Sequence, residues 1–349
     1  MNYQLLLEIT RGPVVESVHF GAAAVVDVHG RLLASIGDAY TTTYLRSSAK
    51  PIQALPLIEM GGAEVFGLSD QEIAVICASH HGSDEHVAVV RGIQAKIDAS
   101  ESDLLCGSHD PQRATLKKMI LRGEEPSPIR HNCSGKHTGM LAQARLRKLS
   151  WEDYINPAHA VQQLNLKTFS ELTGMSESEI ALGTDGCSAP VYAVPLYHAA
   201  LAFARLSDPS LLEERRAAAC RRIVQAMITY PEMVQGEGGF DTVLMQFAGG
   251  RLFTKGGAEG YQAIGLLPGA VYAGSPGIGI TLKIADGDLS GRARPVAAIE
   301  ILRQLGVFSA EQANAVPRYS HRVVSNWRRL EVGELRSVFT LRRHQEVSA

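Results

Sequence analysis

β-Rich segments lie towards both ends of this 349-residue chain, and helical patterns fill the stretch between them. Residues 20–36 have two apolar runs around the turn "DVHGR", which predicts a β-hairpin. After residue 236 the chain again becomes β-branched and punctuated by glycine, apart from a helical pattern at 294–305. The order predicts an α+β fold, with an antiparallel sheet flanked by helices and a helix-rich middle region. We expect a discontinuous sheet domain from 1–60 and 230–349 and a helix-rich domain from 61–229, although no low-complexity tract marks the boundaries.

Charge and cysteine content exclude several classes of protein. The 34 basic and 36 acidic residues give a net charge of -2, so nucleic acid and anionic membranes are poor partners. The apolar run near the start is too short for a secretory signal, and nothing approaches the roughly 20 apolar residues of a membrane span. Five scattered cysteines, an odd number, do not make a disulfide framework. We therefore expect a cytoplasmic protein.

The segment "SSAKP" places Ser47 and Lys50 three residues apart at the start of a helical pattern. Residues i and i+3 share one helix face, and Pro51 is tolerated only in the first turn. An amine beside a serine at a helix N-terminus can activate the hydroxyl, as in the Ser-x-x-Lys enzymes that recognise penicillin. The alternative is that Ser47 only caps the helix and the spacing arises by chance.

Two further segments carry polar groups next to glycines. In "CASHHG", Ser79 and His80 follow an apolar run, and the Ser79 hydroxyl could link Lys50 to a leaving group. The alternative is an ordinary Ser/Gly turn. In "FTKGGAEG", Lys255 ends a strand-like run, and the glycines after it allow close approach of a substrate. The order of lysine and glycines does not fit a phosphate-binding loop.

The segments "HNCSGKH" and "GTDGC" each place a thiol among small polar residues. Their side chains could supply zinc ligands, although no Cys-x-x-Cys spacing is present. The alternative is a pair of buried free cysteines, which is how we interpret the remaining three cysteines in their apolar surroundings. The candidate ligands are Cys133, Cys187, His131, His137 and Asp185.

Together these segments resemble the L-asparaginase II family, also called rhizobial-type or class 3 asparaginases. The resemblance rests on "RGPVVESVH", "RSSAKPIQ", "CASH", "NCSGKHTGML", "GTDGCSAP" and "KGGAEG", and it extends from about residue 11 to 260. It implies a fold similar to serine β-lactamases and glutaminases, a homodimer, and hydrolysis of L-asparagine to L-aspartate and ammonia.

The resemblance also implies roles for particular residues. Ser47 is the implied nucleophile with Lys50 as its partner, and Ser79 with Lys255 forms a second Ser-Lys pair. A zinc ion is implied at Cys133, Lys136 and Cys187, where the lysine must lose its proton to bind the metal. The implied substrate-binding residues are Arg46, His80, His137 and Asp185.

Amide hydrolysis by these groups would pass through a covalent acyl-enzyme, with backbone N–H groups at the helix start as candidate oxyanion donors. Three alternatives remain. The first is a glutaminase or another small-amide hydrolase. One methylene separates L-glutamine from L-asparagine, and such a difference typically changes substrate discrimination by only about 1–3 kcal/mol. A penicillin-recognising enzyme lacks support, because Ser-Asp-Asn and a true Lys-Thr-Gly are missing. A zinc-stabilised binding module without catalysis is the third.

Overall fold

The computed structural model of the chain describes residues 2–319 and 322–344. The chain divides into two compact units. Unit 1 contains Met1–Leu45, Val194–Asp208 and Phe247–Ala349, and unit 2 contains Arg46–Ala193 and Pro209–Gln246. These divisions differ from the sequence-based boundaries at residues 60 and 230, because the chain changes unit at residue 46 and returns to unit 1 for residues 194–208.

The strands of the described chain are β1 Gln4–Arg11, β2 Val14–Asp27, β3 Leu32–Ile36, β4 Thr42–Tyr44, β5 Ala181–Thr184, β6 Pro190–Pro195, β7 Leu252–Gly257, β8 Tyr261–Leu266, β9 Ile278–Ile284, β10 Val323–Ser325, β11 Glu331–Ser337 and β12 Arg342–Arg343.

The α-helices are α1 Lys50–Glu59, α2 Gly62–Val65, α3 Asp70–Ile76, α4 Asp84–Lys96, α5 Arg113–Arg122, α6 Ser134–Leu146, α7 Ala160–Thr173, α8 Leu196–Ser207, α9 Glu214–Thr229, α10 Pro231–Val234, α11 Phe240–Ala248, α12 Ala293–Leu305 and α13 Ala310–Ala315. Short 3₁₀-helices occur at Arg46–Ala49, Glu101–Asp103, Pro128–Arg130, Glu177–Glu179 and Pro209–Leu211.

Unit 1 is built on an antiparallel sheet with the strand order β10-β11-β1-β2-β9-β8-β7. Strand β2 also pairs with β3, which in turn pairs with β12. The turn between β2 and β3 contains Gly30 at a φ of +82°, so the hairpin predicted at residues 20–36 is confirmed. Helices α8 and α12 pack on the sheet, and this arrangement confirms the predicted α+β class.

Unit 2 is mainly helical, with α1, α3, α6, α7 and α9 packed on one another. Helix α1 begins at Lys50 directly after the 3₁₀-helix, so Pro51 lies in its first turn as predicted. Helix α6 begins close to α3, because a Cβ added to Gly135 would lie only 2.1 Å from Val75 O. These contacts bring the start of α1 and the start of α6 to the end of α3.

One segment differs from the sequence-based interpretation. The glycine-punctuated stretch after residue 236 was expected to be hairpin-like throughout, but Phe240–Ala248 forms helix α11. Its apolar residues Phe240, Val243, Leu244 and Phe247 recur with helical spacing, whereas the glycines lie on either side. The hairpin of β7 and β8 follows it. In the described chain, no helix is both long and apolar enough to cross a bilayer.

Candidate active site

The side chain of Lys50 lies where three helices of unit 2 meet. Its Nζ donates hydrogen bonds to Ala78 O at 2.5 Å, Ser79 Oγ at 2.9 Å and Asn132 O at 3.4 Å. These three contacts fix the position of the Nζ atom. Lys50 is almost fully buried, whereas Ser79 is half-buried. The hydroxyl that the structure joins to Lys50 is therefore that of Ser79.

Ser47 lies one turn before Lys50 and is half-buried in the 3₁₀-helix Arg46–Ala49. Within the described residues its hydroxyl makes no hydrogen bond, so the structure does not show the Ser47–Lys50 contact that the spacing suggested. The preceding residue, Arg46, has a φ of +51°, which is uncommon for any residue except glycine. Strained backbone of this kind clusters at functional sites.

His80 follows Ser79 and supports the loop from inside. Gly82 N–H donates to His80 Nδ1 at 3.1 Å, so Nε2 carries the hydrogen and donates to Ser134 Oγ at 2.9 Å. Burial, together with the neighbouring His86 and Lys50, holds the pKa of His80 well below its ordinary value. Both ring nitrogens are already hydrogen-bonded within the protein, so this neutral ring offers no free polar atom to a substrate.

The hairpin of β5 and β6 carries Asp185 and Cys187 in its turn. Arg46 Nε donates to Asp185 Oδ1 at 2.8 Å, and Gly186 N–H donates to the same oxygen. Burial would raise the pKa of Asp185, but the positive charges of Lys136 and Arg46 outweigh it and lower the pKa. Asp185 is thus an anchored carboxylate beside the segment that carries Ser47.

Cys133, Lys136 and Cys187 form a buried cluster at the start of α6. Lys136 Nζ lies 2.9 Å from Cys187 Sγ. A hydrogen bond from Cys187 and the charges of Lys50 and Lys136 hold the pKa of Cys133 well below its ordinary value, despite burial. Burial would lower the pKa of Lys136, but the nearby Cys187 and Cys133 sulfurs outweigh it and raise the pKa. Without a metal, the Lys136 amine thus donates a hydrogen bond to the Cys187 sulfur within a buried group of polar side chains.

The donors of this cluster fit a zinc ion by their chemistry. Two sulfurs and one nitrogen are soft and borderline ligands within one buried site, although the lysine must give up its proton before it can bind. Among residues 2–319 and 322–344, no group of three or more His, Cys, Asp or Glu side chains is placed to hold a metal. A zinc site here therefore depends on Lys136 as the third protein ligand.

His137 lies next to Lys136 but is completely buried. Its Nδ1 lies 2.7 Å from the Tyr154 hydroxyl, which also accepts a hydrogen bond from Leu105 N–H. Burial lowers the pKa of His137 to about 4, so the ring is neutral near pH 7. His137 adjoins the thiol cluster through its neighbour Lys136 on α6. The ring of His131 lies edge-on to that of His109.

Lys255 belongs to unit 1, in strand β7 opposite Ala263 of β8. It is buried, and its Nζ donates to Gly256 O at 2.7 Å. Its pairing with Ser79 remains a prediction. The position in the strand agrees with the strand-like pattern before the glycines.

Several groups at this site were not singled out from the sequence. The carbonyl oxygens of Ala78 and Asn132 orient Lys50, Ser134 binds His80, and Tyr154 binds His137. Every residue has a backbone carbonyl, so the sequence could not point to the two carbonyl groups that orient Lys50. Ser134 lies inside the unusual segment "NCSGKH", which is the one signal that pointed to it.

Comparison with known proteins gives one family and several structural similarities. A family model described as L-asparaginase II matches residues 7–337. Among solved structures, Mglu in its native form is 15% identical with a TM-score of 0.39, and the match covers 81% of this chain and 63% of Mglu. This chain therefore spans less than two thirds of Mglu.

Two glutaminase structures are also similar at low identity. A Bacillus glutaminase is 12% identical with a TM-score of 0.37, covering 85% of this chain and 92% of that one. The Bacillus subtilis glutaminase YbgJ, in covalent complex with 5-oxo-L-norleucine, is 11% identical with a TM-score of 0.36, covering 82% and 89%. TM-scores below 0.5 do not establish a common fold or activity. A search of curated protein sequences finds no significant match.

Proposed function

This chain belongs to the L-asparaginase II family and is accordingly an amidohydrolase, and we propose that it hydrolyses L-asparagine to L-aspartate and ammonia. The observation that supports this proposal most is the hydrogen bond of 2.9 Å between Lys50 Nζ and Ser79 Oγ. Lys50 itself lies one helical turn after Ser47 in the chain. An amide is a poor electrophile, so its hydrolysis needs an activated hydroxyl and a proton donor for the leaving nitrogen.

In the proposed reaction, Ser47 Oγ attacks the side-chain amide carbon. The bond from oxygen to carbon forms, the hydroxyl proton passes to Lys50 in its neutral form, and the C–N bond breaks. Ser79 passes its hydroxyl proton to the departing nitrogen and takes a proton back from Lys50, which returns to its neutral form, and Lys255 is the proposed partner of Ser79 in the second Ser-Lys pair. Water then attacks the aspartyl ester and gives a proton to Lys50, the Oγ–C bond breaks, and Lys50 returns the proton to Ser47 Oγ.

The charged groups beside this pair suit the amino-acid end of the substrate. Asp185 is ionised and held by Arg46, so we assign it to the substrate's ammonium group. We propose that Cys133, Lys136 and Cys187 hold zinc. A bound zinc ion would supply a positive charge for a carboxylate. Because its ring nitrogens are used within the protein, we assign His80 to positioning the Ser79 loop.

Ammonia release from L-asparagine tests the substrate and both hydroxyls. We expect wild-type protein to be active, and Ser47→Ala and Ser79→Ala to reduce turnover at least about a hundredfold, the usual scale of general acid-base effects. Ser178→Ala, at an exposed position, is the matched control. If neither substitution reaches that reduction while the control is normal, the assigned roles are wrong.

L-Glutamine and a β-lactam distinguish the alternatives. A glutaminase would release ammonia faster from L-glutamine than from L-asparagine. A penicillin-recognising enzyme would be acylated by the β-lactam and would release no ammonia from L-asparagine. Intact-protein mass spectrometry of rapidly quenched reactions would detect an aspartyl group on wild-type protein, and Ser47→Ala would not acquire it.

We further propose that the chain acts as a homodimer in the cytoplasm. The dimer rests on the family, and light scattering after gel filtration checks it. The location rests on the five cysteines, which are all buried free thiols, as a reducing compartment allows.

A further inference from the structure

A cavity of about 700 Å³ opens in unit 2 where helix α6 ends. Small-molecule sites typically occupy about 300–1,000 Å³ and combine apolar walls with a few polar groups. This cavity has both kinds of wall. Its lining includes Phe66 after α2 and, from α6 and the loop that follows, Arg145, Leu146, Lys148, Leu149 and Trp151.

The cavity has cationic walls without an acidic residue among those that line it. The guanidinium of Arg145 lies over the Trp151 ring, 5.6 Å from its centroid, and is also held by Asp98 at 2.5 Å. In the described part of the chain, the Lys148 ammonium makes neither a hydrogen bond nor an ion pair. Lys148 is therefore the charge that remains available to a ligand.

The backbone of Lys148 is held in an unusual conformation. Its φ is +55°, and its N–H donates to Arg145 O while Leu149 N–H donates to Ala144 O. Glycine is the usual residue at such a helix end, because a Cβ is disfavoured there. The turn therefore presents a lysine where the backbone favours glycine, and it directs the chain back so that Leu149 and Trp151 also line the cavity.

We propose that this cavity binds a small amphipathic carboxylate, with its apolar body against Phe66, Leu149 and Trp151 and its carboxylate paired with Lys148. The site is separate from the Ser79 site, because Arg145 lies nine residues beyond Lys136 on α6, about 14 Å along the helix axis. L-Asparagine is a different kind of ligand, since it is polar and charged at its amino-acid end and has no apolar body.

Trp151 allows binding to be measured directly. The chain has two tryptophans, and the other, Trp327, is fully exposed in unit 1. In full-length protein carrying Trp327→Phe, all tryptophan emission comes from the cavity wall. We expect octanoate to change this emission saturably, while 1-octanol and octylammonium, which have the same chain with other head groups, bind at least about tenfold more weakly.

Substitutions at Lys148 test the charge. In the same background, Lys148→Gln and Lys148→Gly should each weaken octanoate binding at least about fivefold, and Lys148→Gly also keeps a backbone that suits the turn. Lys117→Gln, at an exposed lysine of α5, should leave it unchanged. Ser79→Ala should bind octanoate normally, so this site is tested independently of the proposed catalysis.

Three results would overturn the proposal. They are an emission change that never saturates, equal affinity for octanoate and 1-octanol, and an unchanged affinity in both Lys148 variants.

Discussion

Lys50 and Ser79 are joined by a hydrogen bond of 2.9 Å, although 29 residues separate them in sequence. The lysine begins α1, and the serine follows the end of α3. Two carbonyl groups, of Ala78 and Asn132, also accept hydrogen bonds from the amine and hold it in place. Proton transfer depends on such fixed geometry, so we propose this pair as the centre of the active site.

Replacement of Lys50 by methionine should therefore reduce kcat/KM for L-asparagine by at least about a thousandfold, near the upper range of general acid-base effects. Methionine has a similar length and suits the buried position, so the fold should persist. Lys50→Arg should not restore activity, because a guanidinium does not lose its proton near neutral pH. Lys118→Met, at an exposed lysine, is the control, and circular dichroism checks folding. Activity within tenfold of wild type would remove Lys50 from the mechanism.

Two glycines in helices of unit 2 should respond in opposite directions to alanine. A Cβ at Gly135 would lie 2.1 Å from Val75 O, which is backbone and cannot move without separating α6 from α3. Gly135→Ala should cost at least about 2 kcal/mol of unfolding free energy. At Gly92 the nearest atom would be Glu72 Oε1 at an ordinary 3.5 Å, so Gly92→Ala should stabilise by up to about 1 kcal/mol.

Urea unfolding measures both values. Equal destabilisation by the two substitutions would contradict the close approach of α6 to α3. Loss of activity in Gly135→Ala, but not in Gly92→Ala, would link that approach to the site, because Gly135 lies between Cys133 and Lys136.

Local patterns were enough to predict several elements of the fold. Pro51 located the first turn of α1, and Gly30 located the turn of the β2–β3 hairpin. Helix α11 was missed, because the glycines on both sides of Phe240–Ala248 obscured its helical spacing. The unit boundaries could not be located from patterns, because α8 packs on the sheet of unit 1 although its neighbours in sequence belong to unit 2.

The residue types of the site could be predicted better than their contacts. The family match confirms the resemblance drawn from motifs such as "SGKHTGML" and "GTDGC". The sequence placed Lys50 beside Ser47 because helical spacing is a local property. It could not show that Ser79 Oγ lies against the amine, since that contact depends on the packing of α1 against α3 and α6. For the same reason, the sequence could not show that both ring nitrogens of His80 are hydrogen-bonded within the protein.

The ion pair of Arg46 and Asp185 should behave as one unit in catalysis. Arg46→Gln and Asp185→Asn should each lower kcat/KM, and the double variant should be little worse than the poorer single variant. Residues in direct contact typically show interaction energies of about 0.5–3 kcal/mol. A double-mutant cycle on kcat/KM measures this energy. Strict additivity would show that the contact of 2.8 Å has no role in substrate turnover.

His86 should contribute to the loss of stability in acid. Burial lowers its pKa to about 4 from the ordinary 6.5, and its ring is hydrogen-bonded to Ser83 and Glu232 O. As the pH falls below 6.5, the unfolded state gains a proton that the folded state takes up only near pH 4. The folded state therefore loses stability across this window, by about 2 kcal/mol between about pH 7 and pH 5.

Urea unfolding at both pH values tests this prediction. Between the two pH values, the unfolding free energy of His86→Gln should fall by about 2 kcal/mol less than that of wild type. This difference does not depend on the stability of the variant at neutral pH. His29→Gln, at an exposed histidine, should follow wild type. Equal pH dependence of wild type and His86→Gln would show that the folded pKa is not lowered.

Zinc should stabilise the folded protein through the cluster at the start of α6. Cys133, Lys136 and Cys187 lie in one buried site, and zinc must displace the proton of the lysine ammonium and those of the thiols as it binds. A ligand present at a hundred times its dissociation constant stabilises by about 2.7 kcal/mol. Protein stripped with a chelator should therefore regain a higher unfolding temperature when zinc is added. Cys187→Ala should not respond, whereas Cys220→Ala, at a buried thiol of α9, should respond as wild type does. A response of equal size in Cys187→Ala would place the zinc elsewhere in the protein.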